Sequence, residues 1–91
     1  MRLDLLLVRL RFAKSRSAAW RLIDPGHIRK NGQRVTEHDH KVCAGDVLTL
    51  PLGSRVKIVQ IERLPERRGP AEEARGHYRT LDAGKSFAIA E

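Results

Sequence analysis

This sequence has little material for disulfides, membrane spans or aromatic platforms. Cys43 is the one cysteine among 91 residues, so no internal disulfide can form and no oxidising compartment is implied. The apolar run Leu5 to Val8 is broken by Arg9 and again by Arg11. It falls short of the roughly 7–15 apolar residues of a signal peptide and of the about 20 needed to span a bilayer. A reducing cytoplasm, with no membrane partner, is the expected setting. Aromatic residues are limited to Phe12, Trp20, Tyr78 and Phe87, too few for the row of stacking rings that single-strand binders use. The length fits one small domain that buries only about 60–65% of its unfolded surface, so function is expected on the surface rather than in a deep pocket.

What the chain does have is positive charge in one place. Residues 1–36 carry nine Lys and Arg against Asp4 and Asp24, a net +7. Residues 37–91 carry nine basic and nine acidic residues and are neutral. Solubility alone would not require this asymmetry. Concentrated positive charge raises the local concentration of a polyanion, with nucleic acid ahead of an anionic membrane surface.

Periodicity divides the first third into two helices. Leu3, Leu6, Leu7 and Leu10 follow the spacing of one helical face, and Leu5, Val8 and Phe12 make a second apolar arc. Arg2 and Arg9 then fall on one polar edge, with Asp4 and Arg11 on the other. Ser15 is a good N-cap for a second helix whose inward stripe is Ala18, Ala19, Leu22 and Ile23. Pro25-Gly26 ends it in a tight turn. His27 to Lys30 reads as a strand, Asn31-Gly32 as a two-residue hairpin turn and Gln33 to Val35 as the return strand. Val47 to Leu50 and Arg55 to Ile61 supply two more strands, the latter alternating at Val56 and Ile58. A linker over Leu64 to Pro70 places a domain boundary near residue 64. Residues 65–91 are then a linker and a short tail, with a helix after Pro70 and fraying beyond Thr80. The fold class is α+β.

Lys14-Ser15-Arg16 places two cations at a helix N-terminus, whose free N–H groups already favour an anion. Taken alone, the triplet reads as a cap between two solvated cations. The cluster of Arg29, Lys30 and Arg34 on the following hairpin, with Arg9 and Arg21 able to flank the helix pair, turns the balance towards a phosphate-binding surface.

The ordered set of Lys14-Ser15-Arg16, Ala18, Leu22-Ile23, Gly26-His27-Ile28, Asn31-Gly32-Gln33-Arg34-Val35 and Gly45-Asp46-Val47-Leu48 resembles the RNA-binding domain named after small-subunit ribosomal protein S-four. The likeness covers about residues 2–61. It implies two helices packed on a small, highly twisted antiparallel sheet, the α-L motif. Arg2-Leu3-Asp4, Arg11-Phe12-Ala13-Lys14-Ser15-Arg16 and Arg67-Arg68-Gly69-Pro70-Ala71 are similar, more narrowly, to the heat-shock protein fifteen family. That resemblance implies a non-enzymatic, stress-associated protein that binds ribosomal RNA on the large subunit and helps recycle subunits carrying a nascent chain on tRNA. It also implies that Lys14, Ser15 and Arg16 meet the RNA backbone, that Asn31 and Gly32 shape the hairpin beside it, and that His27, Lys30, Gln33 and Arg34 are neighbouring contacts. Leu5 stands where the family commonly has lysine, and a long basic C-terminal extension found in some relatives is not present in this sequence.

His38, His40 and Cys43 are near one another but lack a recognised zinc spacing, so no metal or cofactor is expected. Trp20 reads as a packing residue rather than a stacking platform, and His77 and Tyr78 as residues that dock the tail. No set of nucleophile, base and orienting group is visible, so no catalytic residue is assigned. The expectation is a monomeric binder of structured RNA, ribosomal RNA first and tRNA as a further candidate. The alternatives are a general RNA- or DNA-binding regulatory module and, behind it, an RNA-modifying enzyme or its accessory subunit.

Overall fold

The computed structural model describes residues 1–81. Helix α1 spans Leu3–Arg9 and α2 Arg16–Ile23. Strands β1 (Ile28–Lys30), β2 (Gln33–Val35), β3 (Val47–Leu52) and β4 (Arg55–Ile61) follow, then α3 (Ala71–Arg75) and β5 (Tyr78–Leu81). The strands form one antiparallel sheet in the order β2-β1-β3-β4-β5. The expected α+β architecture is present, two N-terminal helices on a twisted sheet.

The core lies between α1, α2 and one sheet face. Leu3, Leu6 and Leu7 of α1 and Ala19 and Ile23 of α2 meet Ile28, Val35, Leu48, Leu50, Val59 and Ile61 from the strands. The alternation of β4 runs in the opposite phase from the one Val56 and Ile58 suggest: Val59 and Ile61 face the core, while Val56 is 59% exposed. Pairing decides this, because the register sets Leu48 opposite Val59 and fixes which face of β4 the helices cover.

Helix α1 stops three residues before Phe12, at a chain reversal that no glycine announces. Arg11 takes φ of 68°, its N–H donates to the Val8 carbonyl, and the Phe12 N–H donates to that of Leu7. This is the paired hydrogen-bonding of a Schellman motif, normally built on glycine. The N-terminus of α1 is closed just as fully by a distant loop. The Leu3 and Asp4 N–H groups donate to the carbonyls of His40 and His38, and Arg2 bridges to Lys41. The polar stretch from 36 to 46 therefore wraps the start of α1, with Val42 buried beneath it.

The sheet does not stop at residue 64. β5 pairs along β4 from Ile61↔Tyr78 to Ile58↔Leu81. Segment 65–70 lies against α1, where Arg9 donates to the Pro65 carbonyl at 3.0 Å, Arg11 to that of Gly69 at 3.0 Å and Arg68 to that of Val8 at 3.1 Å. Thr80 and Leu81, at the edge of the stretch expected to fray, are paired in β5; the rest of that expectation, residues 82–91, lies outside the described residues. No helix among the described residues is long and apolar enough to cross a membrane.

Candidate nucleic-acid interface

The basic surface is organised around a buried acid. Asp4, expected on a polar edge with Arg11, is fully buried. Arg2 donates from Nε and Nη2 to its two carboxylate oxygens at 3.0 Å each. The Trp20 Nε1–H reaches Oδ2 at 3.0 Å and the Leu5 N–H reaches Oδ1 at 2.7 Å. Arg16 stands 3.9 Å from Oδ2. Burial by itself would push this carboxyl up; the hydrogen bonds from Arg2, Trp20 and Leu5, and the Arg2 charge, outweigh it and hold the group below its ordinary range. A carboxylate between α1 and α2 thus fixes Arg2 and Trp20, with Arg16 only within ion-pair distance.

Arg16 and Trp20 are four residues apart and share one face of α2. The Trp20 ring is stacked on His38, centroids 4.9 Å apart and 6° from parallel. His38 Nε2 in turn meets Asp24 Oδ1 at 2.6 Å. Trp20 is thus a half-buried packing residue, as its sequence position implies. Both acids of the basic third have partners: Asp4 is buried, whereas Asp24, at the end of α2, meets His38 with its side chain 62% exposed. Asp4 is thereby withdrawn from the surface that carries the cations of α2.

Those cations lie along the helix. At its start, the Ser15 Oγ accepts the Ala18 N–H at 3.2 Å, which leaves the amides of Arg16 and Ser17 at the mouth of the helix beside exposed Lys14 and Arg16. Arg21 is exposed in the last turn. Beyond it, the Arg34 side chain lies over Gly26, its Cδ within 3.5 Å of where a Cβ would stand. An eight-residue helix separates these two ends by roughly 12 Å. Lys14, Arg21 and Arg34 make no side-chain hydrogen bond or ion pair among the described residues.

The hairpin adds a second unbalanced pair. Arg29 and Arg34 are directly opposite across β1 and β2, on the face away from the core. Like charges in that position oppose pairing. Arg29 relieves this only by donating to the Gly32 carbonyl at 3.2 Å. His27 and Gln33 are exposed beside them.

Three candidates are bonded to the fold instead. Asn31, at φ 52°, donates to Asp46 Oδ1 and accepts the Val47 N–H at 2.9 Å, locking the turn onto β3. Lys30 donates to the Lys41 carbonyl at 3.0 Å and stands 4.0 Å from Asp46. Arg9 holds the Pro65 carbonyl against α1. Burial would raise Asp46, but the Cys43 N–H, the Asn31 amide, Lys30 and His40 together lower it. The residues that sequence reasoning missed are Asp4, Asp46 and His38, and only the first-turn position of Asp4 hinted at a structural role. His40 bonds Glu37, and among the described residues no group of three or more His, Cys, Asp or Glu is placed to hold a metal.

Comparison with known proteins meets this geometry directly. A family model described as "S4 domain" matches residues 1–48, the segment that contains α1, α2, the hairpin and the wrapping loop. The chain belongs to the S4 domain family. In sequence, this S4 domain is 35% identical over 89 residues to small ribosomal subunit protein uS4 of Xanthobacter autotrophicus, covering 96% of the chain and 40% of that protein. It is 43% identical over 54 residues to uS4 of Fervidobacterium nodosum, covering 59% of the chain and 26% of that protein. The chain thus spans about 40% of the length of the first of these curated relatives. In structure, it superposes on heat shock protein 15 of Vibrio cholerae, described as trimeric, with a TM-score of 0.86 and 33% identity, covering 96% of this chain and 87% of that one. The likeness to heat shock protein 15, at 96% of the chain, extends past the segment 1–48 that the S4 match reaches.

Proposed function

We propose that this S4 domain binds structured RNA, with ribosomal RNA of the large subunit as its target, and that it acts in recycling subunits that still carry a nascent chain on tRNA. The observation that carries the reading is the run of exposed cations along α2 and the hairpin, Lys14, Arg16, Arg21, Arg29 and Arg34, in a segment whose two acids are the buried Asp4 and the His38-bound Asp24. Ser15, His27 and Gln33 add polar contacts at the same surface. Arg2, Arg9, Lys30 and Asn31 act from behind it by fixing the elements that present it. Contacts of this kind are to phosphates, so they set affinity and orientation rather than base sequence. If about four to six phosphates are neutralised, log K should fall against log salt with a slope of roughly −3 to −5.

Likeness to heat shock protein 15 over most of both chains supports the ribosomal setting. Co-sedimentation tests it: the chain should travel with large subunits, and more with those bearing peptidyl-tRNA than with empty ones. Travel with small subunits would replace this reading with a small-subunit role like that of the uS4 relatives, and preference for duplex DNA at equal salt would replace it with a DNA-binding one. The chain acts as a monomer and as a binder rather than an enzyme in this proposal. Sedimentation equilibrium checks the first point against the trimeric relative, and assay of RNA modification by the purified chain checks the second.

A further inference from the structure

A cleft of about 330 Å³ opens between the α1–α2 turn, the β3–β4–β5 part of the sheet and α3. Its walls are Phe12, from the turn itself, and Tyr78, from β5, whose ring centroids are 5.0 Å apart and tilted by 49°. Leu10, Leu52 and Ala74 make it apolar below. Around it stand Arg11, Lys57 and Arg75, and no carboxylate lines it among the described residues. Elsewhere in this half of the molecule two arginines meet acids, Arg67 with Glu73 and Arg79 with Glu62. Here the three cations have none. Arg11 is held to the Gly69 carbonyl, and the Lys57 ammonium rests over both rings at 5.7 and 5.6 Å. Arg75 makes no side-chain hydrogen bond or ion pair among the described residues.

A pair of rings, an apolar floor and three convergent cations fit a planar ring that carries a phosphate. We infer that this cleft takes one unstacked nucleotide of the RNA strand held at α2, its base against Phe12 and Tyr78 and its phosphate among Arg11, Lys57 and Arg75. The inference rests on the RNA reading proposed for α2. Chain geometry supports the continuity: Phe12 is two residues from Lys14, so their Cα atoms are at most about 7 Å apart. Lys57 is the moving part. Its contact with the rings stands in for the ligand, and the ammonium shifts from ring to phosphate when a base enters. The Tyr78 hydroxyl, a phenol that burial pushes further above neutrality, can donate to a base edge.

The test is an amide NMR titration of the full chain with adenosine monophosphate, inorganic phosphate and adenosine, joined to photo-crosslinking with thiouridine-substituted ribosomal RNA. Adenosine monophosphate should shift Phe12, Leu52, Ala74 and Tyr78 saturably, at several-fold lower concentration than either half alone. The RNA should crosslink to the peptide that holds Phe12 or Tyr78. Because both rings also pack β5 against the α1–α2 turn, the variant of choice is the exposed Arg75→Gln, which should weaken the nucleotide roughly two- to fivefold and leave the melting temperature unchanged. Equal response to phosphate alone would make this an anion site and overturn the inference, as would silence of the cleft while RNA still binds at α2. A chain that takes the nucleotide in the cleft but binds no RNA overturns the RNA reading and, with it, the occupant assigned here.

Discussion

The same side chain does opposite work in the two halves of this molecule. Around α3 and β5, four arginines are tied down, with Arg75 the exception: Arg67 to Glu73, Arg79 to Glu62, Arg63 to the Gly76 carbonyl and Arg68 to that of Val8. Along α2 and the hairpin, Arg16, Arg21 and Arg34 are exposed, and of the two local acids Asp4 is buried in the scaffold and Asp24 is held by His38. The number of basic residues does not separate these uses, since residues 1–36 and 37–91 each carry nine. What separates them is the acids, two in the first segment against nine in the second, and Asp4 of those two is buried. A surface is made receptive to a polyanion by carrying few free carboxylates, more than by adding cations.

Removing the buried acid should therefore damage the first half most. Asp4→Ala leaves the Trp20 indole N–H and the Leu5 N–H without their acceptor, and Arg2 without its partner. A loss of about 2–3 kcal/mol is expected, measured by urea unfolding. Stability should also report on the Asp4 charge. Its folded value is depressed below the ordinary value of 3.8, so the contribution is complete above that value and disappears as pH falls through the lower, folded one. The urea midpoint of the natural chain should hold steady from neutral pH to about pH 5 and drop below pH 4. Asp4→Asn should start lower and drop less, and an equally steep drop would mean that Asp46, which is depressed in the same direction, governs the acid limb.

The next largest effect belongs to the water-facing cations. Lys14→Ala with Arg16→Ala should cost roughly tenfold in RNA affinity near 0.1 M salt and reduce the salt slope by about one to two, while far-UV circular dichroism and melting stay as they were. Unfolding of the double variant would show that these side chains support the fold instead. Arg67→Ala with Arg68→Ala should do the converse. RNA affinity should change less than twofold, whereas stability should fall by about 0.5–1 kcal/mol, because Arg68 donates to the Val8 carbonyl in α1. Equal losses of RNA affinity in the two pairs would erase the distinction between the halves.

Much of the first half could be read in advance because its signals are local. The Asn31-Gly32 turn, at φ 52° and 85°, and the Ser15 cap are each set by residues within a few positions. The burial of Asp4 could not be read, since a charge at helical spacing looks solvated until Trp20 and a loop from residues 38–42 close over it. β5 was hidden for a different reason. Tyr78, Arg79, Thr80 and Leu81 show no two-residue apolar alternation, and the strand exists because β4 offers an unpaired edge and Phe12 a ring to pack on. The cations that face water and those that face carbonyls carry the same letters, so the choice among Arg9, Arg21 and Arg34 depends on tertiary contacts alone.

Arg11 belongs to the basic third by sequence and to the tied-down class by structure, so it tests the comparison where the effect is smallest. Holding a non-glycine residue at φ 68° costs on the order of 1 kcal/mol, offset by its bond to the Gly69 carbonyl. Arg11→Gly removes both the backbone cost and the bond, and its melting temperature should stay close to that of the natural chain. Arg11→Ala keeps the backbone cost and loses the bond, and should fall about 1 kcal/mol below the glycine variant. The order glycine above alanine is the informative result. Were alanine the equal of glycine, the left-handed turn that ends α1 would not be the strained position that its geometry describes.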